Sequence, residues 1–204
     1  MNILAIGAHP DDIEYGCGGT LLKYAKKGHN IYLFVMTEGE EGGDGPARKK
    51  EQETAQKLLS AKKLFWGSFK DTMIPIDKAT ISNIEKVIEE VKPDEVYVNY
   101  FDDTHQDHRT LSRCVLSATR YIKRVLLYED YTTCNFEPDV FVDIENVLNE
   151  KIKLLKAHHS KTNKTYPTGL DIIESIRAIA HFRGFQGKVK QAEGFKAFRF
   201  LKDI

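Results

Sequence analysis

An α/β fold built on a mainly parallel sheet is what this sequence predicts, and two observations predict it. Apolar, strand-sized runs alternate with segments of helical period, the order expected of βαβ units. Two polar clusters, His9-Pro10-Asp11-Asp12 and His105-Gln106-Asp107-His108, each follow such an apolar run. The carboxyl ends of strands are where an open α/β sheet binds its ligands.

Taken in order, residues 2–8 read as the first strand, and Gly18-Gly19-Thr20 opens a helix over 18–27 that Gly28 stops. A second strand covers 31–36. The glycine- and acid-rich stretch 39–45 is a flexible loop ahead of a helix at 47–61, and 64–69 is the third strand. Apolar residues at 81, 84, 87, 88 and 91 make a helical stripe closed by Pro93. The fourth strand is 96–100, the helix after it 110–121, and the fifth strand 125–129. A further strand is expected at 140–144, a helix at 145–158 and another at 170–182. A turn at 183–187 and a late strand at 197–201 end the chain.

With 204 residues and no internal repeat or linker, a single domain over 1–204 is the economical expectation. Thirty basic residues balance thirty acidic ones, so no overall field favours nucleic acid or anionic lipid. Every apolar run falls well short of the ~20 residues of a membrane-spanning helix. The N-terminus reads as a buried strand rather than a signal peptide. Cys17, Cys114 and Cys134 form no CxxC pair, and their odd count makes a poor disulfide framework. The expectation is a cytoplasmic protein with reduced thiols.

The two clusters suit a metal ion. A catalytic zinc takes about three His or carboxylate ligands and leaves a position for water. His9 and Asp12, three residues apart, reach one point from a turn, and His108 is the natural third ligand from the neighbouring strand end. Two imidazoles and one carboxylate leave the ion a net positive charge, enough to move the pKa of bound water from ~16 toward ~7. Asp11 is then placed to act as general base. His105, three residues before His108, is placed to stabilise an oxyanion or to protonate a leaving amine. Asp107 is a candidate to fix the tautomer of a ligand imidazole. Two His and a carboxylate also accept iron(II) or another divalent ion. For either cluster alone a structural role competes: Asp12, for instance, is also what a helix N-cap looks like.

Elsewhere the signals are weaker. His158 and His159 are adjacent and face apart on a helix; His29 and His181 read as surface residues. Backbone N–H groups at the Gly16–Thr20 helix opening suit an anion, without the glycine spacing of a nucleotide loop.

Beyond the two clusters, Thr37-Glu38-Gly39, Arg48-Lys49-Lys50-Glu51, Tyr128-Glu129, Phe141-Val142-Asp143-Ile144, Lys156-Ala157-His158-His159-Ser160 and Ala192-Glu193-Gly194-Phe195 complete a pattern over nearly the whole chain. This pattern resembles the LmbE/PIG-L family of zinc-dependent de-N-acetylases. The resemblance implies a Rossmann-like three-layer sandwich and hydrolysis of the N-acetyl group of an N-acetylglucosamine-type sugar. It places His9, Asp12 and His108 on the zinc ligands, Asp11 on the general base and His105 on the oxyanion-stabilising residue. Arg48 falls on an arginine near the sugar site. An amino-sugar substrate and further copies of the chain are the partners it implies. Two features depart from the family: Lys161 stands where a Gln often follows the His-x-Ser motif, and the chain is short, so loops that wall the sugar pocket are expected to be trimmed. The stretches 39–47 and 160–170 are the expected walls. Cleavage of a larger amide on an amino-sugar conjugate, and a non-catalytic carbohydrate- or metal-binding protein on the same fold, are the alternatives; intact Asp11 and His105 favour catalysis.

Overall fold

A computed structural model describes residues 1–163, 169 and 171–202. Its elements run β1 (Asn2–Gly7), α1 (Asp12–Lys26), β2 (Asn30–Thr37), α2 (Gly45–Leu59), β3 (Lys63–Phe69), α3 (Lys78–Val91), β4 (Glu95–Asn99) and α4 (Gln106–Ala118). There follow β5 (Arg124–Tyr128), β6 (Val140–Asp143), α5 (Leu148–Lys156), the single turn α6 (His159–Thr162), α7 (Ile172–Gly187) and β7 (Ala192–Phe200). The sheet order is β3-β2-β1-β4-β5-β7-β6. β3, β2, β1, β4 and β5 are parallel to one another, and β7 is antiparallel to both β5 and β6. The mainly parallel sandwich expected from the sequence is confirmed.

Period-two alternation sorts the strand residues onto two cores. Ile3, Ala5, Leu33, Val35, Tyr97 and Leu126 pack with Leu21, Leu155 and Ile176 under α1, α5 and α7. Leu4, Ile6, Phe34, Met36, Val96 and Val98 pack with Ile84, Val87, Leu111 and Val115 under α3 and α4. Each fully buried aliphatic side chain contributes roughly 1.5–3 kcal/mol. Strand order reverses at β1, which pairs with β2 on one side and β4 on the other. The chain therefore leaves β1 and β4 toward opposite directions and opens a crevice at their carboxyl ends, where both polar clusters lie.

Several boundaries differ from expectation. α1 begins at Asp12, not at residue 18, so Gly16, Gly18 and Gly19 lie inside the helix. Glycine there permits close approach: a Cβ on Gly16 would stand 2.0 Å from Cδ2 of the buried Tyr128. The amides expected to attract an anion do meet one, and it belongs to the chain itself. Gly19 N donates to Glu193 Oε1 (2.8 Å), and Thr20 N and Oγ1 donate to Glu193 Oε2 (2.7 and 2.5 Å). The buried Lys151 ammonium completes the site at 2.6 Å from Glu193 Oε1. The Gly-Gly-Thr and Ala-Glu-Gly-Phe motifs are thus two halves of one joint between α1 and β7.

The expected turn at 183–187 is helical, because Gly184 lets the Lys190 main chain come close and α7 runs on to Gly187. β7 starts at Ala192, five residues before its expected start at 197, held on both sides by β5 and β6. The helix expected at 145–158 is a 3-10 turn, Glu145–Val147, followed by α5, with His158 outside it. Leu170, the expected start of the late helix, lies outside the described residues.

Glu193→Ala leaves Lys151 buried and unpaired, so chemical denaturation is expected to show a loss of about 3–5 kcal/mol. A loss below about 1 kcal/mol would show that the joint does not hold α1 to β7.

Candidate metal centre

The first cluster is shaped by one strained residue. After β1, Asp11 takes φ 95°, a left-handed conformation that only a few residue types tolerate, Asp among them. It occupies the N-cap position of α1 without capping it. Its carboxylate is instead bound by Arg48, whose Nη2 lies 2.9 Å from Asp11 Oδ1 and 2.9 Å from Pro10 O. Arg48 Nη1 donates to Gly39 O at 2.5 Å. Gly39 has φ 68°, and a Cβ there would stand 1.9 Å from Arg48 Nη1, so the guanidinium and the glycine loop require each other. Arg48 and Asp11 are each 2% exposed.

Asp12 does not cap the helix either. Its Oδ2 turns back to the end of β1, accepting from Ala8 N (2.9 Å) and His9 N (3.0 Å), and from Asn99 Nδ2 of β4 (3.3 Å). The same oxygen lies 3.3 Å from His108 Nε2 and 3.6 Å from His9 Nδ1. The other nitrogen of each ring faces a further carboxylate. His108 Nδ1 lies 3.1 Å from Asp103 Oδ2; His9 Nε2 lies 2.9 Å from Asp71 Oδ1 and 3.2 Å from Asp107 Oδ2. Those outer carboxylates are themselves fixed by backbone amides. Asp71 accepts from Glu41 N, Asp107 from Thr72 N and Asp103 from His105 N.

His105 is the N-cap of α4, its Nδ1 accepting from Asp107 N at 3.3 Å. Its ring centroid lies 4.5 Å from that of His9 and 4.8 Å from that of His108. All seven residues singled out from the sequence therefore gather at one edge of the sheet. His9, Asp12, His105 and His108, with Arg48, Asp71, Tyr131 and Lys161, line a cavity of about 260 Å³. Both expected walls contribute, Glu41 and Gly42 from 39–47 and Lys161 from 160–170, although 164–168 and 170 lie outside the described residues.

The electrostatics follow from burial opposed by close pairing. Burial disfavours charge on His9 and His108, yet Asp12 and the outer carboxylates outweigh it, holding His9 well above its ordinary value and His108 at about 10. The same pairs outweigh burial in the opposite sense at Asp12, which is held well below the usual carboxylate range. His105 is pushed down, by burial and then by the charges of His9 and His108. Asp130, after β5, is raised to about 8 by burial and by Asp12.

The residues fit a divalent cation. Among the described residues, donor atoms within 4.8 Å of one another form three overlapping trios: His9, His105 and His108; His9, Asp71 and Asp107; Asp12, His108 and Asp130. Asp71 Oδ1 is buried and faces His9 Nε2 at 2.9 Å, so this carboxylate is committed to the ring and not to solvent. Imidazoles that turn one nitrogen inward and the other to a carboxylate are the arrangement of a histidine metal site.

Sequence reading missed Asp71, Asp103 and Asp130. Each follows a strand, so the rule that found the first two clusters reaches them as well. His158, which the sequence offered only as a weak signal and as part of a motif, is buried with Nε2 3.3 Å from Glu14 Oε2, while Gln52 joins Glu14 (2.7 Å) to the Asp11 amide (3.4 Å). Cys17 is buried among apolar residues and takes no part in the cluster.

Fold and site together define a class, an α/β protein with a buried imidazole–carboxylate cluster at the switch point of its sheet. Residues 4–119 match the family model PIG-L, described as GlcNAc-PI de-N-acetylase, and the chain belongs to this family. It is 38% identical over 167 residues to the uncharacterized deacetylase YaiS of Escherichia coli (strain K12), covering 78% of this chain and 90% of the relative. It is 26% identical over 229 residues to the diacetylchitobiose deacetylase of Thermococcus kodakarensis, covering 95% and 82%. The structure of the N,N'-diacetylchitobiose deacetylase of Pyrococcus horikoshii superposes with a TM-score of 0.83 at 26% identity, over 96% of this chain and 83% of the other. The family resemblance read from the motifs is borne out.

Arg48→Met removes the partner of a buried carboxylate and strands two carbonyls. It is expected to lower stability by about 3–5 kcal/mol in urea denaturation. Arg48→Lys is expected to recover only part, because a point charge cannot fork between Asp11, Pro10 and Gly39. An unchanged midpoint in Arg48→Met would contradict the anchoring role.

Proposed function

We propose that the protein is a zinc-dependent N-deacetylase that removes the acetyl group from an N-acetylglucosamine-type sugar or sugar conjugate by hydrolysing the linear amide bond. The arrangement of Asp12 between two imidazoles, each backed by a carboxylate on its far nitrogen, carries this reading. Membership in the PIG-L family and the deacetylase names of the relatives support it.

In this reading His9, His108 and Asp12 would hold the ion. Asp71, Asp103 and Asp107 orient the rings and raise their basicity. A bound divalent ion supplies positive charge that polarises the acetyl carbonyl and acidifies water. Iron(II) satisfies the same ligand set as zinc.

Asp11 takes the proton of the attacking water. Arg48 fixes one of its oxygens and leaves Oδ2 3.7 Å from the ammonium of Lys161, which lines the cavity. His105 donates to the developing oxyanion. Because its Nδ1 accepts the Asp107 amide, its proton sits on Nε2, so the neutral ring is already a donor. The proton that Asp11 has taken, passed on to the amine nitrogen, completes C–N cleavage and releases acetate and a free amine. We read residues 1–204 as one LmbE-like domain, in keeping with the single sheet. Cytoplasmic location fits the three free cysteines, and self-association fits the exposed Phe182, Phe185, Phe198 and Phe200. Among the described residues no helix is long and apolar enough to cross a membrane.

The direct test is a screen for acetate and amine release over N-acetylglucosamine derivatives, using metal-loaded protein. Asp11→Asn is expected to keep its metal and lose about 10²- to 10⁴-fold in kcat; full turnover would refute the base assignment. His108→Ala is expected to lose the ion, and stoichiometric zinc by elemental analysis in that variant would refute the ligand assignment.

A further inference from the structure

The cavity over the imidazole cluster is unevenly charged. Sheet order puts the loops after β2 and β3 on one side of β1 and the loop after β5 on the other. The first side contributes Glu41 and Asp71, and the second contributes Tyr131 and Thr132. Lys161, from α6, joins this second side: its Nζ lies 3.2 Å from Tyr131 Oη and 5.9 Å from the centre of that ring. Among the described residues lining the cavity, the other Lys or Arg side chain is Arg48, which is 2% exposed and bound to Gly39, Pro10 and Asp11.

Lys161 is differently placed. Its side chain is 18% exposed, and its ammonium stands 3.7 Å from Asp11 Oδ2, within Coulomb range but beyond hydrogen-bond distance. An ammonium carries three donors with no fixed plane, so the hydrogen bond to Tyr131 leaves capacity for a ligand oxygen. Resting on the deacetylase reading above, we propose that Lys161 sets substrate specificity by receiving an anionic substituent, a carboxylate or a phosphate, carried by the N-acetylated amino sugar.

Two features of the cavity fix the orientation this requires. Glu41 offers a carboxylate to neutral sugar hydroxyls and repels an anion, and Asp71, held by His9 Nε2 and Glu41 N, adds its negative charge on the same side. Lys161 attracts the anion to the opposite side. A substrate so held lies across the cluster, with its charged end one side chain away from Asp11. The anion thereby adds binding energy in an orientation that leaves the acetamido group over the cluster.

The test compares acetate release from three N-acetylglucosamine glycosides matched in size, whose aglycones end in a carboxylate, a phosphate monoester or a neutral carboxamide. Wild type, Lys161→Gln and Lys161→Arg are measured with the metal bound. In wild type, kcat/KM is expected to favour at least one anionic substrate about tenfold or more over the neutral one, chiefly through KM, the size of one charge-assisted hydrogen bond. That ratio is expected to fall to near one in Lys161→Gln and to persist in Lys161→Arg. Which anion is preferred distinguishes carboxylate from phosphate as the substituent. Turnover of the neutral substrate with no preference for either anion, or a preference that survives in Lys161→Gln, would overturn the proposal while leaving the deacetylase reading intact. Acetate release from none of the three would overturn that reading, and this inference with it.

Discussion

A single carboxylate oxygen, Asp12 Oδ2, ties the site together. It takes the last amides after β1, reaches Asn99 at the end of β4, and stands between His9 and His108. Such crowding of donors around one buried oxygen is stable only because each donor is held from behind. The amides belong to the β1 exit, Asn99 faces the Tyr128 hydroxyl, and the imidazoles rest on Asp71, Asp107 and Asp103. Burying charges singly is expensive, whereas burying them as an interlocked set is tolerated. The cluster is therefore a property of the strand order that brings β1 and β4 side by side.

The first half of α1 shows how the scaffold holds that site still. α1 starts at Asp12, and Gly16 brings it against Tyr128, whose hydroxyl donates to Ile6 O at 2.8 Å. Further along, Gly19 and Thr20 are bound to Glu193 and Lys151. Glycine-mediated contact on one turn and an ion-pair joint on the next fix the helix on β5 and β7. The Asp11–Asp12 corner inherits that rigidity, and Arg48 locks it from the side of α2. Rigid support of this kind is what a metal site needs to hold its ligands in place.

Much of this was legible in the sequence. The alternation of apolar runs and helical stripes gave the parallel sheet, and His9, Asp11, Asp12, His105, Asp107, His108 and Arg48 do meet at one edge. What was not legible has physical causes. Gly16 and Gly18-Gly19 read as the start of a helix because glycine weakens a helix in isolation, and only packing against Tyr128 and Glu193 explains them inside one. Gly184 misread as a turn for the same reason. Asp71, Asp103 and Asp130 escaped because an acid after a strand is an ordinary cap or turn residue until the fold shows what it faces. His158 read as one of two adjacent histidines facing apart, and only the fold reveals its buried partner Glu14. Lys161, noted as a departure from the family pattern, acquires meaning only beside Tyr131 and Asp11.

The central claim is that His9, Asp12 and His108 jointly hold a divalent ion. X-ray absorption spectroscopy at the zinc edge of the wild-type protein, loaded with one equivalent of metal, addresses it most directly. The account predicts two imidazole nitrogens and at least one carboxylate oxygen at about 2.0–2.2 Å, with low coordination number. A spectrum with sulfur in the shell, with a single imidazole, or with water oxygens alone would contradict it.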